Sequence, residues 1–191
     1  RRFDIADQEV NEDDENREFR GDVEGGRNID RRLKDLERDG VSAEVIYPNS
    51  SLMLFCSNDT GYQFAIAQAY NDWCIDLFGA NGKPFIPVGI VPVRDIDLAV
   101  KEVERIAKLG YRSIKVPISV RDRPYNLPDY DRLWSAINDA CMVLSFHSFT
   151  ATEDRYPEDW GEETGIGGAL NHMAMSMVEG MSPVSLLIAS G

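Results

Sequence analysis

From residue 27 onward, apolar positions alternate between two rhythms: a three-to-four-residue spacing, and short runs that are apolar throughout or at every second position. Ile29, Leu33 and Leu36 recur at helical spacing and stop at Gly40, which predicts a short helix. Residues 41–47 (VSAEVIY) predict a strand, closed by Pro48-Asn49. Ser57-Asn58-Asp59-Thr60 then supplies an N-cap for a long helix whose buried stripe is Ile66, Tyr70, Trp73 and Leu77. Residues 85–93 (FIPVGIVPV) form a nearly continuous apolar run, the pattern of a strand covered on both faces.

The rhythm repeats. Asp95 or Asp97 caps a helix with Ile96, Ala99 or Val100, Val103, and Ile106 or Ala107 on its face, ended by Gly110. Residues 111–118 (YRSIKVPI) predict a third strand. After a loop at 121–124, Asp129 or Asp131 opens a helix with Leu133, Trp134 and Ile137 inward. Residues 141–146 (CMVLSF) predict a fourth strand that delivers His147 and Ser148 at its end. A glycine cluster (Gly161, Gly165, Gly167, Gly168) precedes a Met-rich helix near 169–178, and Pro183 is placed to open a last helix over 184–189. Strands alternating with helices predict an α/β fold on a parallel sheet. Periodicity alone leaves a barrel arc and an open doubly wound sheet both standing. No strand-to-helix turn carries GxGxxG or a Walker loop, so the glycine cluster reads as a hinge rather than a phosphate cradle.

Composition narrows the class. With 43% hydrophobic and 28% charged residues, the 191-residue chain has a globular composition, but it falls short of the roughly 250 residues of a complete (β/α)8 barrel. Its net charge of -13 disfavours nucleic acid and anionic membrane surfaces as partners. Residues 1–26 hold ten Asp/Glu and four Arg with no sustained period, and are expected to be an acidic loop or flap. Apolar runs are too short to span a membrane, and no secretory leader opens the chain. Cys56, Cys74 and Cys141 lack CxxC spacing and read as free thiols of a reducing cytoplasm. The absent initiator Met and abrupt ends suggest a fragment truncated at both ends.

Chemistry in such sheets gathers at the carboxyl ends of the strands. Two titratable groups stand there, Lys115 and His147. A neutral imidazole at a strand terminus binds a divalent metal or moves a proton, against the plainer role of a structural hydrogen bond. Lys115 either orients an anionic substrate or pairs with an acidic neighbour. Asn49 follows the first strand at the same end. His172, in the Met-rich stretch, is expected to be structural. Ser148 lacks the GxSxG elbow of a nucleophile. Neither HxH nor HExxH appears, so a three- or four-ligand zinc site is not supplied by this stretch.

The segments GRNIDRRL (26–33), DGVSAEVIYPN (39–49), PVGIVPVRDIDLAVKEVER (87–105), LGYRSIKVPIS (109–119) and LSFHSFT (144–150) together resemble the amidohydrolase-related (amidohydrolase 2) family. The resemblance is to the branch that includes aminocarboxymuconate-semialdehyde decarboxylase, and it covers residues 26–191. It implies a partial TIM barrel holding strands 2 to 5, with residues 1–26 as part of an insertion after the first strand. It also implies a divalent metal, usually zinc, held by an HxH pair on the first strand, histidines on the fifth and sixth, and an aspartate on the eighth. Only the fifth-strand ligand is matched here, by His147. No catalytic residue is assigned within these residues, Asn49 and Lys115 are the substrate-facing candidates, and the chain alone is expected to be inactive. The implied activity is a metal-dependent hydrolase or decarboxylase acting on a small carboxylated or aromatic-derived molecule, with a homodimer left open for the whole protein. A non-catalytic barrel-derived binding module that has lost its metal site is the alternative.

Overall fold

A computed structural model describes residues 25, 28–48, 54–55, 57–79, 84–120 and 123–147. The chain divides into two compact units, Arg1–Ser42 and Ala43–Gly191. In the first, helix α1 (Ile29–Arg38) begins at Asn28, whose side chain accepts from the Arg31 N–H. It ends at Gly40, which takes a φ of 70°. The Val41 N–H reaches the Leu36 carbonyl and the Gly40 N–H reaches Glu37, a paired closure that a left-handed glycine permits.

The second unit carries strands β1 (Glu44–Ile46), β2 (Phe85–Ile90), β3 (Ser113–Pro117) and β4 (Val143–His147). Between them lie helices α2 (Thr60–Cys74), continuing as a π-helical turn over Ile75–Gly79, α3 (Ile96–Leu109) and α4 (Asp131–Asp139). All neighbouring strands pair in parallel and the sheet order is β1-β2-β3-β4. An open doubly wound sheet reverses direction at a switch point. This sheet never reverses.

The helices also keep to one face. Ile114 and Val116 of β3 pack with Phe64 of α2, Val103 and Ile106 of α3, and Leu133 of α4. Leu144 and Phe146 of β4 lie against the same cluster. Gly89 of β2 faces that layer too: a Cβ there would stand 2.8 Å from Ile106 Cδ1. Alternation along the strands therefore sends Val45, Ile86, Ile90, Lys115, Ser145 and His147 to the other face. On that face the Tyr47 hydroxyl lies 3.1 Å from the Ser145 hydroxyl. Three interstrand spacings of a flat sheet amount to roughly 14 Å, so a bond from the exit of the first strand to the fourth is favoured by a sheet that curls toward this face. The architecture is a half-barrel, concave on the Lys115 side: α/β, and a partial TIM barrel.

Three sequence expectations are corrected. The buried stripe of α2 is Gln63, Phe64, Ala67, Asn71 and Cys74, while Ile66 is exposed and Trp73 is 55% exposed. Buried amides with complete hydrogen bonding shift this face away from the apolar count. All four strands are shorter than their apolar runs, because pairing stops where the neighbouring strand ends. Cys141 does not open β4. It has a φ of 51°, and its N–H and that of Met142 close the end of α4 on Asn138 and Ile137. The other helix boundaries follow expectation: Asp59 caps α2, Asp95 caps α3, Gly110 ends α3 with a φ of 100°, and α4 begins at Asp131. The acidic segment 1–24, the glycine cluster, the Met-rich and last predicted helices, Asn49, Cys56 and His172 lie outside the described residues. Among the described residues, no helix is long and apolar enough to cross a membrane.

Candidate active site

The mouth of the half-barrel is defined by the carboxyl ends of its strands, and a side-chain donor pins three of the four. Ile90 directs its backbone groups toward β1, which has already ended. Asn71 of α2 replaces the missing strand: its Oδ1 accepts from the Ile90 N–H at 2.8 Å, and its Nδ2 donates to the Ile90 carbonyl at 2.9 Å. The same amide donates to buried Glu102 of α3 at 2.8 Å, and Glu102 in turn is paired with Arg105 at 2.8 Å. Every polar atom so enclosed has a use.

At β3, the Lys115 carbonyl accepts from the Val91 N–H, so Lys115 turns its backbone groups toward β2 and Pro117, two residues on, does the same. β2 has ended by then. A proline has no N–H to leave orphaned there, and its carbonyl is taken by the Tyr125 hydroxyl at 2.5 Å. Tyr125 is buried in an aromatic cluster, its ring 5.0 Å from Tyr130, 5.5 Å from Trp134 and 5.5 Å from Phe146.

The exit of β1 is held by Lys115. Its side chain is 0% exposed, its Nζ donates to the Pro48 carbonyl at 3.2 Å, and it stands 5.7 Å from the centre of the Phe55 ring. Among the described residues no carboxylate pairs with it. Burial without a counter-charge brings its ammonium down to about 8. Of the two roles weighed for Lys115, pairing with an acidic neighbour therefore finds no support among these residues. Gln63 fastens the far end of the same connection, donating to the Phe55 carbonyl at 3.2 Å and to the Ser57 carbonyl at 2.7 Å.

His147 occupies the last rung of the sheet, in register with Pro117. Alternation puts Phe146 into the aromatic cluster and His147 on the concave face, half-buried, one step beyond Ser145. The structure thus places Lys115 and His147 on one face of adjacent strands, with Ser145 directly beside Lys115 in the register. Tyr47 and Ser145 join this face; the sequence places Tyr47 at the carboxyl end of the first strand, but neither residue is singled out by it. Nothing in its local pattern separates Ser145 from any other polar strand residue.

A divalent ion bound here would find one imidazole of suitable type and position in His147. Among the described residues no group of three or more His, Cys, Asp or Glu is assembled to hold a metal. The donors fit one coordination position of the three or four that a protein site uses.

Comparison with known proteins gives a consistent picture. A family model described as amidohydrolase matches residues 57–182. No curated protein matches by sequence. Among solved structures, an amidohydrolase from Mycobacterium avium subsp. paratuberculosis K-10 superposes with a TM-score of 0.68 at 16% identity, covering 85% of this chain and 44% of its own. The 2,6-dihydroxybenzoate decarboxylase from Rhizobium gives 0.61 at 20% identity, covering 80% of this chain and 50% of its own. A dihydroxybenzoic acid decarboxylase from Polaromonas sp. JS666, with bound manganese and the inhibitor 2-nitroresorcinol, gives 0.60 at 19%, covering 80% and 48%. At these identities the likeness is one of fold. The chain spans about half the length of the structures it matches.

Proposed function

The chain belongs to the amidohydrolase family, and from that premise we propose that the protein containing it is a metal-dependent hydrolase or decarboxylase. Its substrate is a small organic molecule, carboxylated or aromatic-derived. The observation that carries this reading is the position of His147, on the concave face at the carboxyl end of β4, where (β/α)8 enzymes keep their chemistry. His147 is assigned as one metal ligand. Lys115 and Asn49 are assigned to the substrate side of the mouth: Lys115 as a buried positive charge, Asn49 as the residue that follows the Pro48 carbonyl it holds.

A divalent ion, when bound, lowers the pKa of its water and polarises a substrate oxygen. Zinc is the ion proposed, with manganese as its competitor because the Polaromonas decarboxylase carries it. Turnover is assigned to the whole protein, since one imidazole does not complete a site. The protein would be cytoplasmic, with a small molecule rather than nucleic acid or membrane as its partner and a homodimer as one open assembly.

The deciding experiment is metal analysis of the whole protein beside its His147→Ala variant. The expected result is a stoichiometric divalent metal that falls together with activity in the variant. Unchanged metal content in the variant removes His147 from the site. No bound metal in the parent protein favours the second reading, a barrel-derived binding module that has lost its metal site.

A further inference from the structure

We infer that Tyr125 is a positioning residue for His147, holding the last rung of the half-barrel so that the imidazole projects into the mouth. The inference rests on the assignment of His147 as a metal ligand.

Two contacts made by one side chain carry it. The Tyr125 hydroxyl donates to the carbonyl of Pro117, the residue in register with His147. Its ring packs 5.5 Å from that of Phe146, the residue immediately before His147. The hydroxyl fixes the β3 side of the rung and the ring fixes the β4 side. Side chains alternate along a strand, so seating Phe146 in the aromatic cluster sends His147 to the opposite face.

The rung needs such support because the ladder fades there. β2 has ended beside Pro117, so no strand N–H from that side reaches its buried carbonyl. Tyr125 is itself held from behind. Tyr130 lies 5.0 Å away and donates its own hydroxyl to the Arg123 carbonyl at 3.1 Å, which ties the two ends of the 123–130 connection together. Arg123 stands over the Tyr130 ring at 5.6 Å. The loop that follows β3 is therefore a brace against the end of β4.

The test is a Co2+ titration of the metal-free whole protein, followed by NMR of its assigned His147 and His172 side chains. Tyr125→Phe removes the hydroxyl and keeps the ring. The expected result is a five- to tenfold weaker Co2+ response at His147, with broadened His147 ring signals and an unaltered response at His172. A merely structural loss would move both histidines alike, and that outcome, or no change at either, overturns the inference. If Tyr125→Phe does not fold, Phe146→Leu loosens the second contact and is read by the same criterion. His147→Ala separates the two claims: if it leaves the Co2+ response of the whole protein unchanged, the metal-ligand assignment fails. If it abolishes the response while Tyr125→Phe does not alter it, only the positioning role fails.

Discussion

A lysine enclosed by Phe55 and the Pro48 carbonyl holds its proton less tightly than one in water, and folding stability records the difference. In the unfolded chain Lys115 keeps its proton up to the ordinary value of 10.5; in the folded chain it does so only up to about 8. Between those values the unfolded state binds more protons, so stability rises with pH, by about 3 kcal/mol over the full interval. The buried hydroxyls of Tyr70, Tyr111, Tyr125 and Tyr130 act in the other sense. Burial raises all four, so above pH 10 the unfolded chain loses protons that the folded chain retains, and stability falls. Urea midpoints are thus expected to climb from pH 7.5 to 9.5 and decline beyond 10. Lys115→Met should flatten the climb and leave the decline; an unchanged climb in that variant would remove Lys115 as its source. At this scale the sequence placed His147 and Lys115 toward the carboxyl ends of their strands, and the structure has them on one face there. Tyr125, Asn71 and Gln63 stayed hidden. Their value comes from backbone groups left open at strand ends and in the loop before α2, and one-dimensional spacing carries no trace of those.

The elements were more legible than their ends. Caps were readable because Asp59, Asp95, Gly40 and Gly110 perform local chemistry with neighbours three or four residues away. The inward face of α2 was not, since Gln63 and Asn71 are buried polar residues whose partners lie on β2 and the preceding loop. Cys141 is the instructive miss. Its place in an apolar run suggested a strand, yet it occupies the left-handed position that closes α4, where glycine is the usual residue. A side chain there costs about 1 kcal/mol. Cys141→Gly is accordingly expected to raise stability by about 0.5 to 1 kcal/mol, visible as a higher urea midpoint at constant slope. A lower midpoint would mean that the freedom glycine adds to the unfolded chain outweighs the relief.

At the scale of the whole molecule, strand–helix alternation established the α/β class but not the choice between an arc and a doubly wound sheet. That choice depends on strand order and on which face the helices cover, and both are long-range facts. On the concave face Val45, Ile86 and Val143 are exposed while Ile90 and Lys115 are buried, and among the described residues the outer strands β1 and β4 each have one neighbour. Such surfaces and strand edges favour association. The isolated 191-residue chain is expected to sediment as concentration-dependent oligomers and to unfold over a broad thermal range. A sharp, reversible transition of a monomer would contradict this.

The contact between Tyr47 and Ser145 bears on what happens when the concave side is filled. Because this crossbar links the outer strands, part of what holds the bend of the crescent lies within these residues. A surface docking on this side would meet a seat already partly shaped. Such docking would still have to order the two surfaces against each other, with less of the curling left to do.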